Sequence, residues 1–96
     1  MIEEIFQLEV EPGTEVGFEN DFLQVVQLLV QAEGYKKSEL KRSVENQNVY
    51  LISVTWNTLE DHTVTFKKTP AYEKMKNILA PHYLEVPNFQ HFYKVY

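Results

Sequence analysis

Four antiparallel strands and two helical regions, in the order β-α-β-β-α-β, are predicted by this 96-residue chain, giving an α+β fold. Three observations carry that reading. Apolar and polar residues alternate near both ends and through the middle, the period of half-buried strands. Between the first two such stretches the apolar residues recur at the period of a helix with one buried face. The two middle strands are joined by a polar turn, Glu45-Asn46-Gln47-Asn48, which makes them a hairpin.

Residues 5–10 form the first strand, because Phe6, Leu8 and Val10 alternate with Gln7 and Glu9. Pro12-Gly13 ends it. Thr14 is placed to cap the first helix, with Glu15 and Glu19 near the positive end of its dipole. That helix is expected to run to about residue 33, with Gly34 as its stop. Phe18, Phe22, Val25, Val26 and Leu29 share one face, widened by Leu23 and Val30. Residues 35–44 form the second strand, whose Lys36, Lys37, Lys41 and Arg42 suit a sheet edge. Val49–Trp56 is the third strand, with Tyr50, Ile52, Val54 and Trp56 on one face.

Thr58 then caps a helix, and Asp61 completes a capping box. Leu59, His62 and Phe66 are expected on its inward face, and Lys67 and Lys68 close it at the negative end of the dipole. Thr69-Pro70 caps and opens a further helix. Tyr72, Met75, Ile78 and Leu79 line it and Pro81 stops it. Residues 80–87 lead to the last strand, 89–96, with Phe89, His91, Tyr93 and Val95 on one face and Phe92 and Tyr96 on the other. This order is the ferredoxin-like arrangement, built as a single domain over residues 1–96.

Helices on one side leave the other sheet face open. The third and last strands carry large apolar groups toward both faces, and a contiguous apolar patch of that kind marks an interface. A second copy packed sheet to sheet, a homodimer closed into an α/β barrel, is the expected solution.

Composition narrows the functions. With 44% hydrophobic residues the chain builds a core, and with no cysteine it has no disulfide or thiolate chemistry. Residues 1–21 hold seven acidic groups and no basic one, which argues against nucleic acid, where clustered lysine and arginine are needed. The bland reading of those acids is a solvated strand face and helix start. There is no apolar run of membrane-spanning length, so no membrane partner and a cytoplasmic location are expected.

The stretch from Trp56 to Tyr72 holds the only tryptophan and one of three histidines. His62, between Leu59 and Phe66 on an inward face, reads either as a hydrogen-bonded core histidine or as the acid, base or hydrogen-bond partner of a pocket. His91 shares its strand face with aromatics, and His82 is placed to fold over a pocket mouth. Trp56 and Phe66 read as core or as pocket wall, Tyr72 as a ring with a free hydroxyl, and Lys76 as solvated or as reaching an anionic ligand one turn along. The histidines are 20 and 9 residues apart, which matches no compact metal-ligand motif, so no metal is expected.

These residues carry a resemblance. Trp56, Leu59 to Thr63, Phe66, Thr69-Pro70, Tyr72, Lys76, Leu79, His82-Tyr83, Pro87 and Gln90-His91-Phe92 resemble the antibiotic biosynthesis monooxygenase (ABM) domains of the dimeric α/β-barrel superfamily. The resemblance covers the whole chain and is most specific over residues 56–92. It implies a homodimer with one apolar pocket per protomer and cofactor-independent oxidation of a small aromatic or phenolic, quinol-like compound. In that scheme His62 is the base, Tyr72 and Lys76 steady the anion, and Trp56, Phe66, His82 and His91 contact the substrate. Met75-Lys76 stands where similar proteins often carry Trp-Arg, and Gln90 where Glu is common. At the positions that serve haem in the haem-degrading members this chain has Phe6, Thr65 and Met75, so haem degradation is not expected. Of the oxygen-assisting residues of the quinone-forming members, it keeps Trp56, with Ile52 and Lys76 at the other two places. A non-catalytic binding or interaction module of the same fold is the rival reading, and a purely structural dimer the third.

Overall fold

Strand alternation places a complete row of core residues on one side of the sheet. A computed structural model describes all of residues 1–96. It contains β1 (Ile2–Glu9), α1 (Glu15–Leu29), β2 (Tyr35–Arg42), β3 (Val49–Trp56), α2 (Pro70–Leu79) and β4 (Gln90–Phe92). The strands form one antiparallel sheet in the order β2-β3-β1-β4, the ferredoxin-like arrangement, with β2 at an edge as its lysines require. Phe6, Leu8 and Val10 from the first strand and its exit, and Tyr50, Ile52, Val54 and Trp56 from β3, are buried under the helices with Phe18, Phe22, Val25 and Leu29. Tyr50 also donates a hydrogen bond to Glu19 at 2.5 Å, and Arg42 pairs with the same carboxylate, which ties α1 to the far edge of the sheet.

Several boundaries differ from expectation, each for a physical reason. β1 begins at Ile2 rather than residue 5, which brings Glu4 into phase with Phe6 and Leu8 on the covered face. Thr14 sits at the cap position without capping; its hydroxyl donates to the Glu11 carbonyl at 2.6 Å instead. α1 ends at Leu29, and the chain unwinds so that Ala32 packs onto the core before Gly34 turns it into β2. Leu23, on the outer side of α1, and Val30, just past its end, stay exposed rather than widening the buried face. β4 spans three residues, not eight. Pairing with β1 stops at Glu3 opposite Phe92, and residues 93–96 form no strand.

The capping box forms reciprocally: Asp61 N–H donates to Thr58 Oγ1 and Thr58 N–H to Asp61 Oδ2, both at 3.1 Å. What it starts is a π-helical turn, Asp61–Thr65, followed by a 3₁₀ turn, Phe66–Lys68. A π turn takes more residues per revolution than an α-helix. His62 and Phe66 thus stay together inward while Leu59 swings out to 39% exposure. Gly34 makes room for this turn. Its φ is +80°, and a Cβ there would overlap the Asp61 carboxylate, so a side chain would break the box that starts the His62 segment. Thr69 caps α2 by accepting from Tyr72 N–H at 3.3 Å, with Pro70 at the first helical position.

The opposite face of the sheet carries Ile5, Leu51 and Phe92 among Gln7, Ser53 and Gln90, with Leu51 42% and Phe92 44% exposed. No helix of the chain is long and apolar enough to cross a membrane.

Candidate functional site

Between the covered sheet face and the helices lies a cavity of about 160 Å³. Thirteen of its eighteen lining residues are hydrophobic, so its few polar groups stand out. β1 contributes Glu4 and Phe6, β3 contributes Trp56, the π turn His62, and α2 Tyr72 and Lys76.

His62 is the hub. Its ring stacks on Trp56, with centroids 5.2 Å apart and planes 20° from parallel. Its Nδ1 lies 2.8 Å from His91 Nε2, a direct hydrogen bond, and its Nε2 lies 3.4 Å from Glu4 Oε2. The sheet register explains the gathering, because Glu4 and His91 are directly paired across β1 and β4. One ligand-type atom from each of Glu4, His62 and His91 lies within 4.8 Å of the other two.

Burial sets the protonation states. It pushes Glu4 up to about 7, only partly offset by the positive charge of Lys67. It pushes His62 down to about 4, aided by His91 and Lys67, and lowers His91 for the same reasons of burial and Lys67. At neutral pH both imidazoles are thus neutral and Glu4 is near its midpoint. Facing a protonated Glu4, His62 Nε2 is bare and His62 Nδ1–H donates to His91. Facing an ionised Glu4, His62 Nε2 carries the hydrogen and His91 becomes the donor. The direction of the chain of hydrogen bonds follows a single proton on Glu4.

Trp56, His62, Phe66, Tyr72, Lys76 and His91 all line this cavity. Lys76 stands at its rim, half exposed, with Nζ 5.2 Å from the centre of the Tyr72 ring and 3.6 Å from Glu73. Tyr72 meets Phe66 edge-on at 5.7 Å. His82 is elsewhere, a correction to the expectation that it covers the pocket mouth. Its Nε2 lies 2.8 Å from Asp21 Oδ2 and its ring meets Phe18 edge-on, so it fastens the turn after α2 to α1. Two residues of the cavity stand outside the site residues expected from the sequence. Glu4 was counted with the solvated acids, although it lies in phase with Phe6. Tyr83 lines the cavity, and burial together with the nearby Glu4 and Tyr72 pushes its hydroxyl up to about 12.

Comparison with known proteins completes the picture. A family model described as antibiotic biosynthesis monooxygenase matches residues 1–77. YczJ of Bacillus subtilis, itself uncharacterised, is 34% identical over 95 residues, covering 99% of this chain and 100% of its own length. The structure of a Bordetella bronchiseptica protein described as a candidate antibiotic biosynthesis monooxygenase superposes with a TM-score of 0.92 at 30% identity, covering 99% of this chain and 97% of that one. SnoaB from Streptomyces nogalater, a cofactor-independent oxygenase, has the same fold, with a TM-score of 0.86 at 15% identity over 99% of this chain and 93% of its own.

Proposed function

The chain belongs to the antibiotic biosynthesis monooxygenase family, and from that premise we propose that it is a cytoplasmic homodimer whose cavity binds a small aromatic or phenolic compound and oxidises it with molecular oxygen, without a cofactor. The observation that carries this reading is a hydrogen-bonded imidazole, His62, set in the wall of an otherwise apolar cavity. In the tautomer whose Nδ1–H donates to His91, His62 Nε2 carries no hydrogen, and its 3.4 Å separation from Glu4 gives a substrate hydroxyl room to approach it. His62 takes the phenolic proton. Tyr72 and Lys76, on one side of α2, steady the resulting anion, and the apolar walls exclude water from it. The electron-rich anion then reduces oxygen directly. One oxygen atom is inserted and the other leaves as water, so the substrate supplies all the electrons.

Oxygen uptake with simple quinols, in chelator-containing buffer, tests the reading. Wild type is expected to consume oxygen, and His62→Ala about a hundredfold more slowly. Equal rates in both proteins remove His62 as the base. If neither protein turns over while a quinol quenches Trp56 fluorescence, the rival reading of a binding module stands. That readout reports the cavity, because Trp56 is the only tryptophan and lines it. The homodimer follows from the half-exposed Leu51 and Phe92 on the open sheet face, and light scattering at micromolar concentration should give twice the 11.4 kDa chain mass. A monomer mass rules the dimer out.

A further inference from the structure

Glu4, His62 and His91 reach one point of the cavity from three separate elements: β1, the π turn and β4. Two imidazoles and one carboxylate form a ligand set that borderline transition metals take and that magnesium and calcium, which want oxygen donors, do not. The two short contacts fall on different ring nitrogens of His62, Nδ1 lying 2.8 Å from His91 Nε2 and Nε2 lying 3.4 Å from Glu4 Oε2, so a single ion takes only one of them. One ligand atom from each of the three residues still lies within 4.8 Å of the other two. With metal–nitrogen and metal–oxygen bonds of about 2.0–2.2 Å, neighbouring ligands around a tetrahedral ion stand roughly 3.4 Å apart, which these atoms reach by side-chain shifts of about an ångström. The Glu4 carboxylate supplies a second reason: it is 9% exposed, and its nearest ion-pair partner is that single imidazole at 3.4 Å. A buried carboxylate held this loosely gains a full partner from a cation.

We propose that Glu4, His62 and His91 form a binding site for a divalent transition metal of the zinc, cobalt and iron class, with the remaining coordination positions open to the cavity. Three protein ligands and an open position are the mark of a reactive rather than a structural site. Trp56, stacked on His62, holds that ring in place. Lys67 lines the same cavity and is the opposing charge the ion must overcome. This assignment goes beyond the oxidation reading and does not rest on it, since metal binding is measured with neither substrate nor oxygen present.

Cobalt(II) is the probe, because it shows visible bands when bound by few ligands and zinc(II) displaces it silently. Titrating the chelator-stripped protein should give one saturable equivalent of cobalt per chain, bleached by zinc. His91→Ala, at an exposed strand position, should lose the bands. Glu4→Gln should weaken binding at least about tenfold. His82→Ala, whose ring lies outside the cavity, should keep the full equivalent. The proposal is overturned if wild type shows no saturable band, if His91→Ala retains a full equivalent, or if His82→Ala loses it. Should the metal site hold while the oxygen-uptake test fails, the cavity is a metal-binding site without the proposed oxidation.

Discussion

Replacing Trp56 with alanine is expected to destabilise the domain by about 3–5 kcal/mol, the range for truncating a buried aromatic. Trp56 is fully buried and meets the rings of Tyr35, His62 and Phe66. It also adjoins the existing cavity, so the lost volume would merge with space already there and its lining would not collapse to fill it. For a domain with a typical stability of about 5–15 kcal/mol, that is a large share. One feature of Trp56 works the other way: its Nε1–H is buried with no acceptor in the protein. An unsatisfied donor costs about 1–3 kcal/mol, which Trp56→Phe relieves while keeping an aromatic ring. Trp56→Phe is therefore expected to lose less than about 2 kcal/mol. Urea unfolding followed by far-ultraviolet circular dichroism reads both variants, since neither retains a tryptophan. If Trp56→Phe costs as much as Trp56→Ala, the indole N–H contributes a specific contact and volume is not the deciding effect.

The ferredoxin-like order was legible because it is written in local periodicity. β3 was read to its exact ends, since Val49–Trp56 alternates throughout and is bounded by turn residues. The Thr58–Asp61 box and the Thr69-Pro70 start were also local, and both formed. The errors fall where the answer depends on a distant partner. The alternation of residues 89–96 gives no sign that pairing with β1 stops at Phe92. Nor does helical spacing distinguish an α turn from the π turn that rotates Leu59 outward.

The site was half legible for the same reason. His62 and His91 are 29 residues apart and meet because β4 lies beside β1, which puts His91 opposite Glu4. Strand order was needed to see that, and spacing along the chain hid it. Glu4 had a local signal: extending the Phe6, Leu8, Val10 alternation back by one period lands on it. An acidic residue in that phase, within a cluster of seven, looked solvated. Only the helical cover over the sheet turns it into a buried carboxylate.

Glu4→Gln should make the protein more stable above neutral pH, by up to about 3 kcal/mol, and should change the shape of its pH profile. The glutamate is raised from 4.5 to about 7 in the folded state. Between those values the unfolded chain has released the proton and the folded one has kept it, so stability falls as pH rises through that window and levels off above it. His62 has the opposite sign. It is lowered from 6.5 to about 4, so the unfolded chain holds the extra proton between those values and stability rises with pH there. In wild type the two slopes overlap between 4.5 and 6.5 and largely cancel. The folded pair in effect keeps a proton on the carboxyl that the unfolded chain would keep on the imidazole. Glutamine removes one slope and leaves the other. Chemical unfolding in chelator-containing buffer, from about pH 4 to pH 8, should show Glu4→Gln rising more steeply than wild type over the lower part of this range, with the rise from the lowered His91 common to both. The gap between them should close toward pH 4, where Glu4 is protonated in both states. Parallel profiles would mean that Glu4 is ionised in the folded protein at ordinary acidity, and that burial is not what sets the charge of this site.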